Sequence, residues 1–374
     1  MAIIFLDRGR TILLPILAIL IPEKNDINLR RFHLVVEDSC MRKLIFMIAS
    51  IFFITPSYGF YKGVGIHLSP IIGNSDAYYG FITNVQANSF RSDYSWNKSE
   101  IKKGEYVTPS KDLDELVEKA ISNGITPVLI IDYNNILYSN STVYNKRIMS
   151  QSELNGYLNY FRWVVQHYKG KKIIFEVWNE WDKGYPKESG KSDESAEMYI
   201  KMIKECRNIL KEYNSDSLLI AGGFNPLDSN DLNWGIKLQD KGILDYIDGY
   251  SMHPYDFNKY YTESPGKSIM KLTNAYNFMV KKDTGKHKVN FYITEVGIPS
   301  YPNSSLSDAE ISNYIKEYFH LAMAKDFIKG VWWYDLMDDG KDIKNKEHNF
   351  GLLTHDWKKK DQAAAFSNID LIGK

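Results

Sequence analysis

Cysteine is almost absent. The 374 residues contain two, Cys40 and Cys206, so no disulfide framework can hold the fold. An excess of either charge is also missing. Lys and Arg number 46 and Asp and Glu number 46. A chain without a basic surplus lacks the electrostatic footprint of nucleic-acid binding. Long apolar runs are missing too. Thr11–Ile21 is about 11 residues, and a bilayer span needs roughly 20. No G-x-G-x-x-G follows the first strand-like run, which weakens a doubly wound dinucleotide fold. No G-x-S-x-G occurs, which disfavours a serine hydrolase. His67, His253 and Asp132 are the nearest to a metal set. No H-E-x-x-H or H-x-x-x-H spacing supports them, so neither a metal nor another cofactor is expected.

What is abundant is aromatic. Phe, Trp and Tyr make up 14% of the chain, with 26 Tyr and 8 Trp. Neutral charge and many rings suit an uncharged or mildly acidic ligand bound by stacking.

The first sixty residues read as separate from the fold. From Met41 the sequence runs MRKLIFMIASIFFITPSYG. Arg42 and Lys43 form a basic start, Leu44–Ile54 an apolar stretch, and Thr55–Gly59 a small, turn-prone end. This is the layout of a secretory signal peptide. The expected organisation is an upstream extension over 1–40, a signal peptide over 41–59 and a folded domain over 60–374. That predicts a secreted or periplasmic protein whose membrane contact is limited to the signal peptide. Once the leader is removed, Cys206 stands alone in a helical pattern, as a small buried hydrophobe.

The remainder alternates strand and helix. Strand-like runs cover Gly63–Leu68, Ser89–Asp93, Thr126–Asp132, Lys172–Trp178, Leu218–Gly222, Ile247–His253, Asn290–Glu295 and Gly330–Tyr334. Several are nearly continuous apolar stretches, as in parallel strands buried on both faces. Helical spacing covers Lys111–Asn123, Ser152–Tyr168, Asp193–Tyr213, Ser268–Lys282 and Ser307–Lys325. Eight such strands with intervening helices predict an α/β fold, a single (β/α)8 TIM barrel.

In such a barrel, function sits at the C-terminal ends of the strands. Those ends carry His67, Arg91 with Trp96 beyond it, Asp132-Tyr133, Trp178-Asn179-Glu180-Trp181, His253-Pro254-Tyr255, Thr294-Glu295 and Trp332. Glu180 and Glu295 each close an apolar run, where an unpaired carboxylate is costly. Two carboxylates across a barrel mouth fit glycosidic bond cleavage. One donates a proton to the leaving oxygen and the other attacks the anomeric carbon. Arg91 is the candidate to keep the nucleophile ionised, helped by hydrogen bonds from His253 and Tyr255. Asn179 is placed to bind a sugar 2-hydroxyl. Trp96, Tyr133, Trp181, Tyr255 and Trp332 are candidate sugar platforms, and His67 a candidate contact.

IIFEVWNEWD (Ile173–Asp182) resembles the acid/base signature of glycoside hydrolase clan A. It is most similar to family 39, with Trp181 where that family usually has Pro. FYITEVG (Phe291–Gly297) resembles the clan's nucleophile strand. SFRSDYSW, GITPVLIIDYNN, YSMHPY, VWWYDLMDDG and the closing NFGLLTHDWKKKDQAAAF match as well. In SFRSDYSW, Arg91 corresponds to the arginine beside the nucleophile. The resemblance spans about residues 61–370. It implies a retaining β-glycosidase with Glu180 as acid/base and Glu295 as nucleophile. It is similar to secreted enzymes encoded beside bacterial exopolysaccharide genes, which implies a polysaccharide or oligosaccharide partner.

Three readings follow. The first is an endo-acting enzyme on a cell-surface or exported polysaccharide, working as a monomer. The second is an exo-acting β-xylosidase or β-glucosidase. The third is an inactive glycan-binding barrel, against which two opposed carboxylates argue. Lys183, Lys187 and Lys191 in one loop hint weakly at an acidic sugar, but a solvated charged loop explains them better.

Overall fold

The computed structural model describes residues 2–7, 10–15, 59–67, 71 and 73–371. Residues 41–58 of the expected signal peptide lie outside that range. In the upstream segment, Ala2–Asp7 and Arg10–Pro15 pair as an antiparallel ribbon, a unit of its own.

The second unit is a closed barrel of eight parallel strands in sequence order. The strands are β1 (Tyr61–Gly65), β2 (Ser89–Ser95), β3 (Thr126–Asp132), β4 (Ile174–Val177), β5 (Leu218–Phe224), β6 (Gly249–Met252), β7 (Phe291–Val296) and β8 (Ile328–Trp333). β8 pairs with β1 and closes the ring. All seven residues of β3 are buried, as expected when helices cover the outer face of a barrel and side chains fill its inside. The predicted (β/α)8 architecture is therefore the observed one.

The helices of seven residues or more that follow the strands are α1 (Ser75–Asn84), α2 (Lys111–Ser122), α3 (Gln151–His167), α4 (Asp193–Tyr213), α5 (Ser229–Asp240), α6 (Pro265–Asp283), α7 (Asp308–Met323) and α8 (Asp361–Ser367). Their starts follow from local chemistry. Ser150 and Ser307 form capping boxes with Glu153 and Glu310. Each box satisfies two of the backbone donors that a helix start leaves open. Cys206 is buried on the inner face of α4.

The lower part of the barrel is filled by Tyr61, Val128, Ile174, Ile220, Tyr292 and Trp332. The Trp332 indole occupies space that two glycines leave open. A Cβ at Gly63 would lie 2.1 Å from its ring, and one at Gly330 2.8 Å. Its Nε1 donates to Ser89 Oγ at 2.9 Å. This packed floor holds the strands in register and leaves the upper mouth for chemistry.

Candidate active site

β4 ends at Val177, and the chain then reverses sharply. Trp178 and Glu180 both adopt left-handed backbone conformations, with φ of 66° and 47°. Such residues cost roughly 1–3 kcal/mol each and persist only where the surroundings fix them. Gly223, just inside the end of β5, makes room for the turn. A Cβ there would sit 2.7 Å from the Glu180 amide nitrogen, and its own φ is +63°.

Glu180 and Glu295 converge on one imidazole. His253 Nδ1 lies 3.2 Å from Glu180 Oε1 and 3.6 Å from Glu295 Oε2. These two oxygens cannot be further apart than the two distances together. His253 is fully buried and its Nε2 meets Thr294 Oγ1 at 3.1 Å. The ring is therefore fixed from both sides.

Arg91 organises the nucleophile side. Its Nη1 donates to Glu295 Oε1 at 2.7 Å. Its Nε and Nη2 donate to the two oxygens of Glu176 at 2.6 and 3.2 Å. Nη2 also donates to Asn179 Oδ1 at 3.0 Å. Tyr255 OH donates to Glu295 Oε2 at 3.0 Å, and Asn179 Nδ2 donates to Tyr133 OH at 2.8 Å. Burial pushes the Glu295 carboxyl up, but His253 and Arg91 pull harder and hold it below its ordinary value.

The other carboxylate has a different partner. Lys183 Nζ donates to Glu180 Oε1 at 2.6 Å. Burial raises the Glu180 carboxyl, yet His253 and then Lys183 draw it down to about 2. Both carboxylates are thus held as anions before substrate arrives.

The sequence model of one family, described as Cellulase (glycosyl hydrolase family 5), matches residues 58–335. The chain belongs to that family. Family 5 is a clan A family, so the clan indicated by the two Glu motifs is the right one. Solved glycoside hydrolases share its fold. One is a family 39 glycoside hydrolase from the gut symbiont Bacteroides cellulosilyticus WH2, 24% identical with a TM-score of 0.66. The match covers 84% of this chain and 64% of that one, so this chain spans under two thirds of that enzyme. A psychrophilic family 10 endo-β-1,4-xylanase is 17% identical, with a TM-score of 0.58 and coverage of 83% and 97%. Xylanase 10B from Thermotoga petrophila RKU-1, in complex with xylobiose, is 16% identical, with a TM-score of 0.59 and coverage of 83% and 94%. No curated protein matches the sequence.

In this glycosyl hydrolase the predicted site residues divide into two groups. Arg91, Asn179, Glu180, Glu295, Tyr133 and His67 line one cavity of about 230 Å³, and His253 and Tyr255 hold its carboxylates. The three predicted tryptophan platforms are corrected. Trp332 belongs to the barrel floor, below the mouth. Trp96 is fully buried, donates to Glu100 Oε2 at 2.6 Å and stacks on Tyr160 of α3. Trp181 is fully buried, stacks on Tyr199 of α4 and donates to Ser195 Oγ at 2.9 Å. None of the three presents a face to a sugar.

Two rings missed at the sequence level, Tyr144 and Tyr334, line the cavity. Glu176 was missed as well. It lies inside the apolar run of β4, and its Oε1 accepts from Ser251 Oγ at 2.5 Å as well as from Arg91. A carboxylate within such a run was the available signal. Two of the three loop lysines have local partners. Lys183 holds Glu180, and Lys191 pairs with Asp231 and, at 3.6 Å, with Asp182. Lys187 is exposed on the same loop.

Proposed function

We propose that the chain is a retaining endo-β-glycosidase acting on a polysaccharide, with Glu295 as nucleophile and Glu180 as acid/base. The observation that carries this is the shared His253 contact. Retaining enzymes hold their two carboxyl groups about 5–5.5 Å apart, and inverting ones about 6.5–9.5 Å. An inverting separation between the two oxygens on Nδ1 would need the three atoms nearly in line.

The steps follow from the partners. Glu295, ionised and aimed by Arg91 and Tyr255, attacks the anomeric carbon. The glycosidic C–O bond breaks and the leaving oxygen takes a proton from Glu180. Glu180, now an anion, then removes a proton from water. The water oxygen attacks the glycosyl-enzyme and Glu295 departs. For the first step Glu180 must hold a proton. His253 and then Lys183 oppose that, so Glu180 takes up a proton from solvent as the incoming glycan displaces the Lys183 ammonium from Oε1. Asn179 is held between Arg91 and Tyr133, next to the acid/base, where a sugar 2-hydroxyl would lie.

A second cavity supports endo action. Asn225, Leu227, Tyr255, Phe257 and Tyr261 line it. Tyr255 thus belongs to its wall while holding Glu295, so a glycan chain has room on two sides of the carboxylates. The leader-like sequence at 41–59 supports export, with an exported or cell-surface polysaccharide as substrate. The chain is read as a monomer.

The test is turnover of aryl β-glycosides and polysaccharides by wild type, Glu180→Gln and Glu295→Gln. Both changes should abolish hydrolysis of natural glycans, by about 10²-fold or more. Azide added to Glu295→Ala should yield an α-glycosyl azide. Endo action gives a ladder of oligosaccharides, and release of monosaccharide alone would reject it. Turnover that survives both Glu changes would overturn the whole reading.

A further inference from the structure

The loops after β6, β7 and β8 enclose a third cavity, of about 210 Å³, that the catalytic steps leave unused. Phe257, Ile298, Pro299 and Tyr301 give it apolar and aromatic walls. Lys259 and Lys346 stand beside them, with an amide and several hydroxyl groups. Rings and aliphatic surface with a few polar groups are what a small-molecule pocket is built from. No carboxylate of the described residues lines it.

This cavity adjoins the space already assigned to the glycan. Phe257 and Asn258 line both it and the second cavity. Tyr255 of the second cavity donates to Glu295. The Tyr255 and Phe257 rings meet edge to face, with centroids 6.0 Å apart. Phe257 also meets Phe350 at 6.2 Å, and Phe350 meets Tyr334 of the catalytic cavity at 5.3 Å. One ring therefore separates the third cavity from side chains that line the first.

The charge changes along this line. Asp93, Glu180 and Glu295 line the catalytic cavity, and Asp228 and Asp256 the second. The last two are engaged within the protein. Asp228 caps α5, and Asp256 is held by Ser268 and Lys271. At the third cavity the charged groups are both positive. Lys259 forms no ion pair among the described residues, and its ammonium rests over the Tyr260 ring, 5.3 Å from the centroid. The Lys346 ammonium lies 6.0 Å from the Phe257 ring centroid and 3.0 Å from Glu347. Both members of that pair are exposed, and an exposed pair is weak enough to yield to a ligand.

We propose that the third cavity is a distal glycan subsite and that the sugar it takes carries a carboxylate, as a uronic acid does. Phe257 and Tyr301 pack against the sugar ring, and Lys259 and Lys346 face its carboxylate as point charges. The inference rests on reading Glu180 and Glu295 as a glycosidase pair. A neutral sugar would use the rings and leave Lys259 without a partner. A free phosphate or sulfate would use the lysines and leave the apolar walls uncovered.

The test compares acidic oligosaccharides with their carboxyl-reduced counterparts, in which each carboxylate becomes a CH₂OH group and nothing else changes. The probes are oligosaccharides of glucuronoxylan, β-1,4-glucuronan and gellan. Binding to Glu295→Gln, which does not turn them over, is measured by calorimetry in low salt and in about 1 M NaCl, where charges are screened beyond about 3 Å. The acidic member of at least one pair should bind about fivefold or more tightly in low salt, the size expected of exposed charge contacts. The preference should shrink in high salt. Lys259→Ala and Lys346→Ala should each lower the ratio by about half or more, and the double variant should bring it near one. Both side chains are exposed, and the ratio is internal to each variant. Equal binding of both members of every pair, binding of no member, or a preference that survives the double change would overturn the proposal. So would inorganic sulfate or phosphate that binds through these lysines as tightly as the oligosaccharides do. Glu-dependent turnover of glycans without any acid preference would sink this inference alone. If no glycan is turned over in a Glu-dependent way, the glycosidase reading itself fails.

Discussion

Lys183 donates to the same oxygen of Glu180 that faces His253 Nδ1. The pair sits one turn apart, in the short 3-10 turn Trp181–Lys183 that follows the left-handed Glu180. Its ammonium stabilises the ionised carboxylate. Lys183→Met removes that support, so the Glu180 carboxyl rises from about 2. A proton donor with a higher pKa stays protonated to higher pH. The alkaline limb of kcat/KM should move upward in the variant, while the acid limb stays in place. A pH profile on a substrate with a poor leaving group checks this, since such a substrate depends most on proton donation. No movement of the alkaline limb would show that Lys183 does not hold the Glu180 carboxyl down in the free enzyme.

Glu176 shares Arg91 with the nucleophile, and both partners of that pair are 5% exposed or less. Breaking a buried ion pair from one side costs about 3–5 kcal/mol, because the remaining charge loses its compensation. Glu176→Gln should therefore lower the unfolding free energy by that order, read by urea denaturation. It should also act on the chemistry. With one negative charge gone, Arg91 and its surroundings favour ionised Glu295 more strongly. The Glu295 carboxyl falls further, and the acid limb of kcat/KM should shift to lower pH. Loss of stability without that shift would make Glu176 a purely structural group.

The sequence carried most of the frame because parallel strands buried on both faces are compact apolar runs. The run Thr126–Asp132 is the observed β3, and Asp193–Tyr213 is the observed α4. The same feature hid side-chain direction. In a run that is apolar on both faces, alternation gives no phase, so Trp332 read as a mouth residue although it fills the floor. Trp96 and Trp181 follow strand ends, where one further turn of chain carries the ring outward into the helix layer. α1 escaped notice because only Tyr78 and Ile82 of its residues are buried. α5 was missed too, and its apolar stripe is interrupted by Gly235 and buried Gln239. The carboxylate pair was legible because acid at the end of an apolar run has no packing purpose. Lys183 was not, since its contact depends on the backbone reversal at Glu180.

Gly223 tests that reversal. Its φ of +63° and the 2.7 Å approach of its would-be Cβ to the Glu180 amide leave no room for a side chain. Gly223→Ala should cost about 1–2 kcal/mol of stability for the left-handed conformation and should displace Glu180. Misplaced proton donation lowers kcat most for substrates with poor leaving groups. The expected result is a fall in kcat of tenfold or more on a natural glycan, with a much smaller fall on an activated aryl glycoside. Equal falls on both substrates would mean that the turn does not position the acid/base.

Trp332 and Tyr144 separate packing from recognition. Trp332 lies in the floor with Tyr61 and Tyr292, and its indole N–H is satisfied by Ser89 Oγ. Trp332→Phe leaves a void where the larger ring was and removes one hydrogen bond to Ser89 Oγ, which still donates to Thr126 O at 2.6 Å. Together these should cost about 2–3 kcal/mol, seen as a lower Tm. KM should stay within about twofold, because the ring is sealed from the cavity. Tyr144 is the reverse case. It is 54% exposed, lines the catalytic cavity and meets Tyr133 edge to face at 4.7 Å. Tyr144→Ala removes about one aromatic contact to the sugar, of the order of 1 kcal/mol. KM should rise roughly fivefold while Tm barely changes. If Trp332→Phe raised KM and Tyr144→Ala left it unchanged, the aromatic platform would have to lie deeper in the barrel than this structure places it.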